Sequence, residues 1–132
     1  MQPKTTLTIA SIIGLIFSSA MFLAPEFVTR EQFPNSEGQG FADLVTLRYA
    51  IASLILALVI ISYHLRDITG HAFQIHVMRG YTLAFGVVCI TNLALQLTGK
   101  ISAVPPIVGT GVIAVLSLLT WRRLVSRTKE EA

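Results

Sequence analysis

The chain has 132 residues, of which 53% are hydrophobic and only 13% charged, with a formal net charge of +3 and a mean hydropathy of +0.69. That balance leaves too little polar surface to cover a water-facing fold, and the apolar residues gather into four long runs, so lipid is the expected solvent. The basic excess sits at the ends of these runs, where it reports membrane orientation and gives no reason to expect a nucleic-acid partner.

The runs are Leu7 to Ala24, Leu44 to Tyr63, Tyr81 to Leu97 and Val104 to Trp121. Each covers roughly 17 to 20 residues, which at about 1.5 Å per residue reaches about 26 to 30 Å, the depth of a hydrocarbon core. Backbone N–H and C=O groups in that core must be satisfied within the chain, and four strands cannot close a barrel. The expected fold is therefore all-α: a single four-span bundle, up-down-up-down, with spans at 7–24, 44–63, 81–97 and 104–121.

The first run follows Lys4 and contains Ser18-Ser19-Ala20, which looks something like a secretory signal with its cleavage site. It continues through Met21-Phe22-Leu23-Ala24 and stops at Pro25, which suits a spanning helix better; cleavage would leave three spans. Ala10, Gly14 and Ser18 recur every fourth residue and form a small-residue stripe for helix packing. The segment 25–43 is the longest connection. Pro34-Asn35-Ser36 and Glu37-Gly38-Gln39-Gly40 read as turns, with Phe27, Val28, Phe33 and Phe41 between them. Those apolar side chains either fold the loop over the outer mouth as a lid or rest in the membrane interface.

The second run carries Arg48 near its start and the small pair Ser53 and Ala57. In the connection that follows, His64, Asp67 and His71 are spaced as one helix face, but Thr69-Gly70 interrupts it. With His76 they form the only arrangement that raises metal ligation, and histidines in a loop at the headgroup boundary are ordinarily solvated; no metal, haem or other cofactor is expected. The third run holds Thr82, Gly86, the lone Cys89, Asn92 and Gln96. A single cysteine excludes an intramolecular disulfide and thiol relay chemistry. Pro105 and Pro106 open the fourth run after a reversal at Lys100, and Gly111, Ala114 and Ser117 give it a packing seam.

Orientation follows from basic residues at the span ends. Lys4, Arg66, Arg79, Arg122, Arg123, Arg127 and Lys129 fall on one side of an alternating path, and Arg30, Arg48 and Lys100 on the other. The first side is the cytoplasm, so both termini are expected there, and Tyr63, Tyr81 and Trp121 mark the same boundary as an aromatic belt. The basic tail is placed to attract anionic lipid, partly offset by Glu130 and Glu131.

Depth assembles the candidate site. Arg48 lies about 6 Å inside the outer end of its span and Asn92 about 8 Å inside the outer end of the third, nearly one level. Ser18, Ser19 and Thr110 fall within about a turn of that level, with Gln96 slightly above. A charge within a span is costly and usually faces the bundle interior or a wet cavity. Arg48 would supply positive charge to an anionic or carbonyl-bearing ligand while Asn92 and Gln96 orient it. The bland alternatives are that Arg48 snorkels or pairs with Asp43 or a loop glutamate, and that Asn92 and Gln96 are interhelical glue.

Phe22-Leu23-Ala24-Pro25 closing a short first span, a Gly-containing outer loop, and Leu47-Arg48-Tyr49-Ala50 opening the second resemble small bacterial four-span proteins loosely grouped as DoxX-like. The resemblance covers the layout of the whole chain and about a dozen residues in detail. It implies a compact inner-membrane four-helix protein and carries over no catalytic residue. The expected function is non-enzymatic: binding of a small molecule, lipid or partner subunit through the outer-leaflet pocket or a packed face. The alternatives are a structural or assembly subunit, including a homo-oligomer, and a membrane enzyme or redox protein, for which the sequence offers only the three histidines.

Overall fold

A computed structural model describes residues 2–102 and 104–130, with side chains as far as Thr128. The charges expected at Lys129, Glu130 and Glu131 lie outside the described side chains. Among the described residues the chain is helical without strands: α1 (Pro3–Leu23), α2 (Pro25–Gln32), α3 (Gly38–Leu65), α4 (His71–Leu97) and α5 (Val104–Glu130). Helices α1, α3, α4 and α5 correspond to the four apolar runs, and each is long and apolar enough to cross a membrane. They overrun the expected limits because an established helix gains one hydrogen bond for each flanking residue it adds, polar or not.

The largest departure lies in the segment 25–43, expected as a loop. Its first part is the short helix α2, with Pro25 in its first turn, Glu26 against the positive end of its dipole and Arg30 at the negative end. Only the turn from Phe33 to Glu37 separates it from α3. The α4–α5 reversal is a Schellman cap. Gly99 takes φ +69°, donating to the Gln96 carbonyl at 3.0 Å, while the Lys100 N–H reaches the Leu95 carbonyl at 3.1 Å.

Helix α1 packs along α3 and α4 along α5; the two pairs join where α1 meets α5, and α2 lies against α3 and α1. The stripe expected on α1 makes the first of these contacts. Ser18 donates to the Ala52 carbonyl at 2.9 Å, Ser11 to the Val59 carbonyl at 3.5 Å, and a Cβ on Gly14 would lie 2.6 Å from Val59 Cγ2. On α3 the facing residues are Ala52, Ile55 and Val59, while Ser53 and Ala57, expected in the seam, are exposed. A groove of small residues on one helix is filled by a ridge of branched ones on the other, so α3 does not need a small stripe of its own. Gly109 of α5 receives the Phe17 ring, with a Cβ there 2.6 Å from the ring edge, and Gly111 faces Cys89 across the α4–α5 seam. Gly86, expected in a packing face of α4, has open space where a Cβ would stand.

The apolar core gathers at one end, where Leu7, Met78 and Leu124 are buried beneath Leu65, Ile75, Tyr81 and Trp121. Thr6 and Thr120 hydroxyls share a 2.7 Å hydrogen bond there, and Ser62 is hydrogen-bonded to Tyr81. Tyr81 and Trp121, expected with Tyr63 at one membrane boundary, are partly buried against this core; the bond to Ser62 lets the Tyr81 ring be covered without stranding its hydroxyl. Tyr63 remains exposed, with the Arg66 guanidinium 3.6 Å from its ring centroid.

Candidate functional site

The opposite end of the bundle is organised by α2. Thr29 is fully buried and its hydroxyl, which donates to the Pro25 carbonyl at 2.7 Å, accepts a 3.3 Å hydrogen bond from Arg48 Nε. The Arg48 guanidinium lies 5.4 Å from the centroid of the Phe33 ring, and the residue is only 5% exposed. Its Nη2 atom is buried and has no hydrogen-bond partner among the described residues. Arg48 thus neither snorkels to the surface nor pairs with Asp43, whose carboxylate instead accepts from Gln39 at 2.8 Å. Arg30 sits 4.8 Å from the Phe41 ring, a second clasp between α2 and the start of α3. The Ser102 N–H donates to the Gln32 carbonyl at 2.9 Å, fastening the far end of α2 to the α4–α5 connection.

Held from both sides, α2 roofs a cavity of about 250 Å³ between α1 and the start of α5. Phe17 and Met21 form its floor, Phe27 and Val28 its roof and Pro105 and Pro106 one wall, while Glu31, Gln32 and Ser102 provide polar groups. It shares Phe17 and Pro105 with an open groove of about 440 Å³ running between α1 and α5 past Ile13 and Val112. The two together make a half-open apolar cleft with the Glu31 carboxylate at the α2 end, lined by side chains that suit an apolar molecule.

None of the six residues expected to share one ring lines this cavity. Ser18 belongs to the α1–α3 interface, where it donates to the Ala52 carbonyl, while Arg48, one turn earlier on α3, is engaged by Thr29 and Phe33. Ser19 is half-buried on α1. Thr110 donates to the Pro106 carbonyl at 2.7 Å and Asn92 to the Val88 carbonyl at 2.9 Å, each within its own helix. Gln96 is half-buried near the end of α4, whose main contacts are with α5. Short polar side chains that find a carbonyl one turn back have no need of a partner on another helix. Thr29, Phe33, Phe17 and Pro105 were absent from the expected site. The signal for the first two was present in the helix start Pro25-Glu26 and the basic end at Arg30.

At the core end, no three histidine, cysteine or acidic side chains among the described residues converge as metal ligands. Asp67 is engaged by Lys4 Nζ at 2.9 Å and Arg66 Nε at 3.3 Å, and His71 Nε2 lies 2.9 Å from the Thr128 hydroxyl. Hydrogen bonds from Lys4 and then Arg66 hold the Asp67 carboxyl below its ordinary range. A carboxyl whose folded-state pKa is depressed contributes stability above its unfolded value, about 4, and loses it as pH falls through the lower folded value. Unfolding midpoints measured from pH 6 downward should therefore drop below about pH 4 in the parent. Asp67→Asn should flatten that part of the profile, with a small effect because the pair is exposed and screened by salt.

No protein-family model, curated protein or solved structure matches this chain.

Proposed function

We propose that the chain is a non-enzymatic integral protein of the bacterial inner membrane, up-down-up-down with both termini in the cytoplasm, that binds a lipid chain or similar amphiphile at its outer end. The observation that carries this reading is the apolar cavity roofed by α2 and continuous with the α1–α5 groove. The alternating topology is supported by the contacts at the two ends. Lys4 to Asp67 and His71 to Thr128 gather the start of α1, the α3–α4 connection and the end of α5 at one end. The bond from Ser102 to Gln32 gathers the other two connections at the opposite end. The end with Lys4, Arg66, Arg79, Arg122, Arg123 and Arg127 is the cytoplasmic one by the positive-inside rule. Arg48 is a positioning residue, holding α2 through Thr29 and Phe33.

Ala20 lines the cavity, and Ala20→Trp would fill it from the α1 side. Mass spectrometry of organic extracts from gently purified protein should find the retained amphiphile in the parent and about tenfold less in Ala20→Trp, a loss of about 1.4 kcal/mol of binding. Val87→Trp, a change at an exposed site on α4, should retain it as the parent does. Equal retention in parent and Ala20→Trp would defeat the reading.

A second reading, a subunit of a membrane assembly or homo-oligomer, is favoured by α4. Met78 is its one buried residue, and Gly80 and Gly86 leave open space on its surface where another helix backbone could approach closely.

A further inference from the structure

The core end of the bundle carries a second cavity, about 330 Å³ and half open, that the outer-end reading does not use. Three chain segments meet around it: the start of α1 with Lys4, the first turn of α4 with His71 and Gln74, and the last turns of α5 with Arg123 and Arg127. Among the described residues its lining contains no acidic side chain. Arg123 and Arg127 are one turn apart on α5, both exposed, and neither is paired with a carboxylate among the described residues. Lys4 is shared with Asp67, which lies outside the lining and also takes Arg66, so among the described residues the two arginines supply most of the uncompensated charge.

The two helix starts add to this charge. Neither α1 nor α4 has a side-chain cap, so the free N–H groups of both first turns and the positive ends of both dipoles are directed toward the same end of the bundle as the arginines. Gln74 offers no competing acid; its Nε2 donates to the Ile68 carbonyl at 2.7 Å. Two guanidinium forks with backbone donors suit a group with several acceptor oxygens arranged tetrahedrally better than the two coplanar oxygens of a carboxylate.

We propose that this cavity is an anion site for a phosphate group, carried either by a lipid headgroup or by a soluble phosphate. The test uses full-length protein in neutral detergent, with two probes at constant ionic strength. Inorganic phosphate is titrated with binding read by thermal shift against chloride, and phosphatidylglycerol is compared with phosphatidylcholine by native mass spectrometry. Arg123→Gln with Arg127→Gln removes the two cavity arginines and leaves Lys4 in place. Arg79→Gln with Arg122→Gln removes the same charge from exposed positions outside the lining, and none of the four side chains is buried. The cavity pair should weaken binding of the effective probe about tenfold or more, the scale of one or two charge-assisted hydrogen bonds, and the outside pair less than about twofold. Saturable binding of inorganic phosphate identifies a soluble source as sufficient, and binding of phosphatidylglycerol alone identifies the headgroup. Equal losses in the two double variants, no loss in the cavity pair, or no saturable binding of either probe would overturn the proposal.

Discussion

Gly14→Leu is expected to separate α1 from α3 and to lower stability by about 3 kcal/mol or more, because there is nowhere for the new side chain to go. A Cβ alone would stand 2.6 Å from Val59 Cγ2 and 3.7 Å from Ile55 Cγ2. Val59 is β-branched and held in essentially one rotamer on a helix, so it cannot swing aside. Overpacking of even a methyl group in such a contact costs about 1 to 3 kcal/mol, and leucine adds three more carbons. Close approach at small residues is a principal source of helix association in lipid, so the loss is not replaced by another apolar contact. The matching control is Gly86→Leu, where open space surrounds the backbone and leucine should leave the unfolding transition of the isolated chain within about 0.5 kcal/mol of the parent. Unfolding by denaturing detergent in mixed micelles, followed by circular dichroism, reads both. Equal stability of Gly14→Leu and the parent would contradict the α1–α3 interface. If the parent is oligomeric and Gly86→Leu alone disperses it, the exposed face of α4 is where the copies meet.

The same pair of glycines shows what could be read from the chain beforehand. Small residues every fourth position announce a face that can admit another backbone, and on α1 that face was used. Periodicity cannot say which partner a face receives or whether it receives one. Thus Ser53 and Ala57 on α3 and Gly86 on α4 had the right spacing and face outward or into open space. The four long helices were legible because lipid imposes a length and a composition on every crossing segment. The outer segment was harder. Proline and glycine punctuate it, and a helix as short as α2 is marginal by itself. It persists because Thr29, Arg30 and Gln32 are fastened to α3 and to the α4–α5 connection, contacts that no local pattern contains.

The proposed ring of polar residues illustrates a different limit. Residue counting fixes height in the membrane but not azimuth about each helix axis. Arg48 and Asn92 can stand at similar depth while Asn92 turns back to Val88 and Arg48 turns toward Thr29. The importance of Arg48 was legible from its charge within an apolar run. Its direct partner is not, because that partner belongs to a short helix whose flanking prolines and glycines have the pattern of a loop.

Arg48→Met should be as stable as the parent or more so, by about 0 to 2 kcal/mol, and yet fail to retain the outer-end amphiphile. The guanidinium is buried with one nitrogen unpartnered, and an uncompensated buried charge is the kind that well-packed apolar replacement relieves. Methionine is similar in length, keeps contact with the Phe33 ring through its sulfur, and leaves Thr29 with its bond to the Pro25 carbonyl intact. Arg48→Ala removes the stem as well, opens a void beneath α2 and should cost about 2 to 4 kcal/mol. Comparing the two separates packing from charge. If Arg48 only filled space, methionine would preserve both stability and retention. If its charge were a net stabiliser, both variants would unfold early. A stable Arg48→Met that loses the amphiphile, while limited proteolysis cuts more readily between Pro25 and Gln32, would mean that the bond to Thr29 and the guanidinium over Phe33 keep the roof in register over the cavity. A buried charge that costs stability is then maintained for the site it positions, consistent with local rules being broken where function requires it.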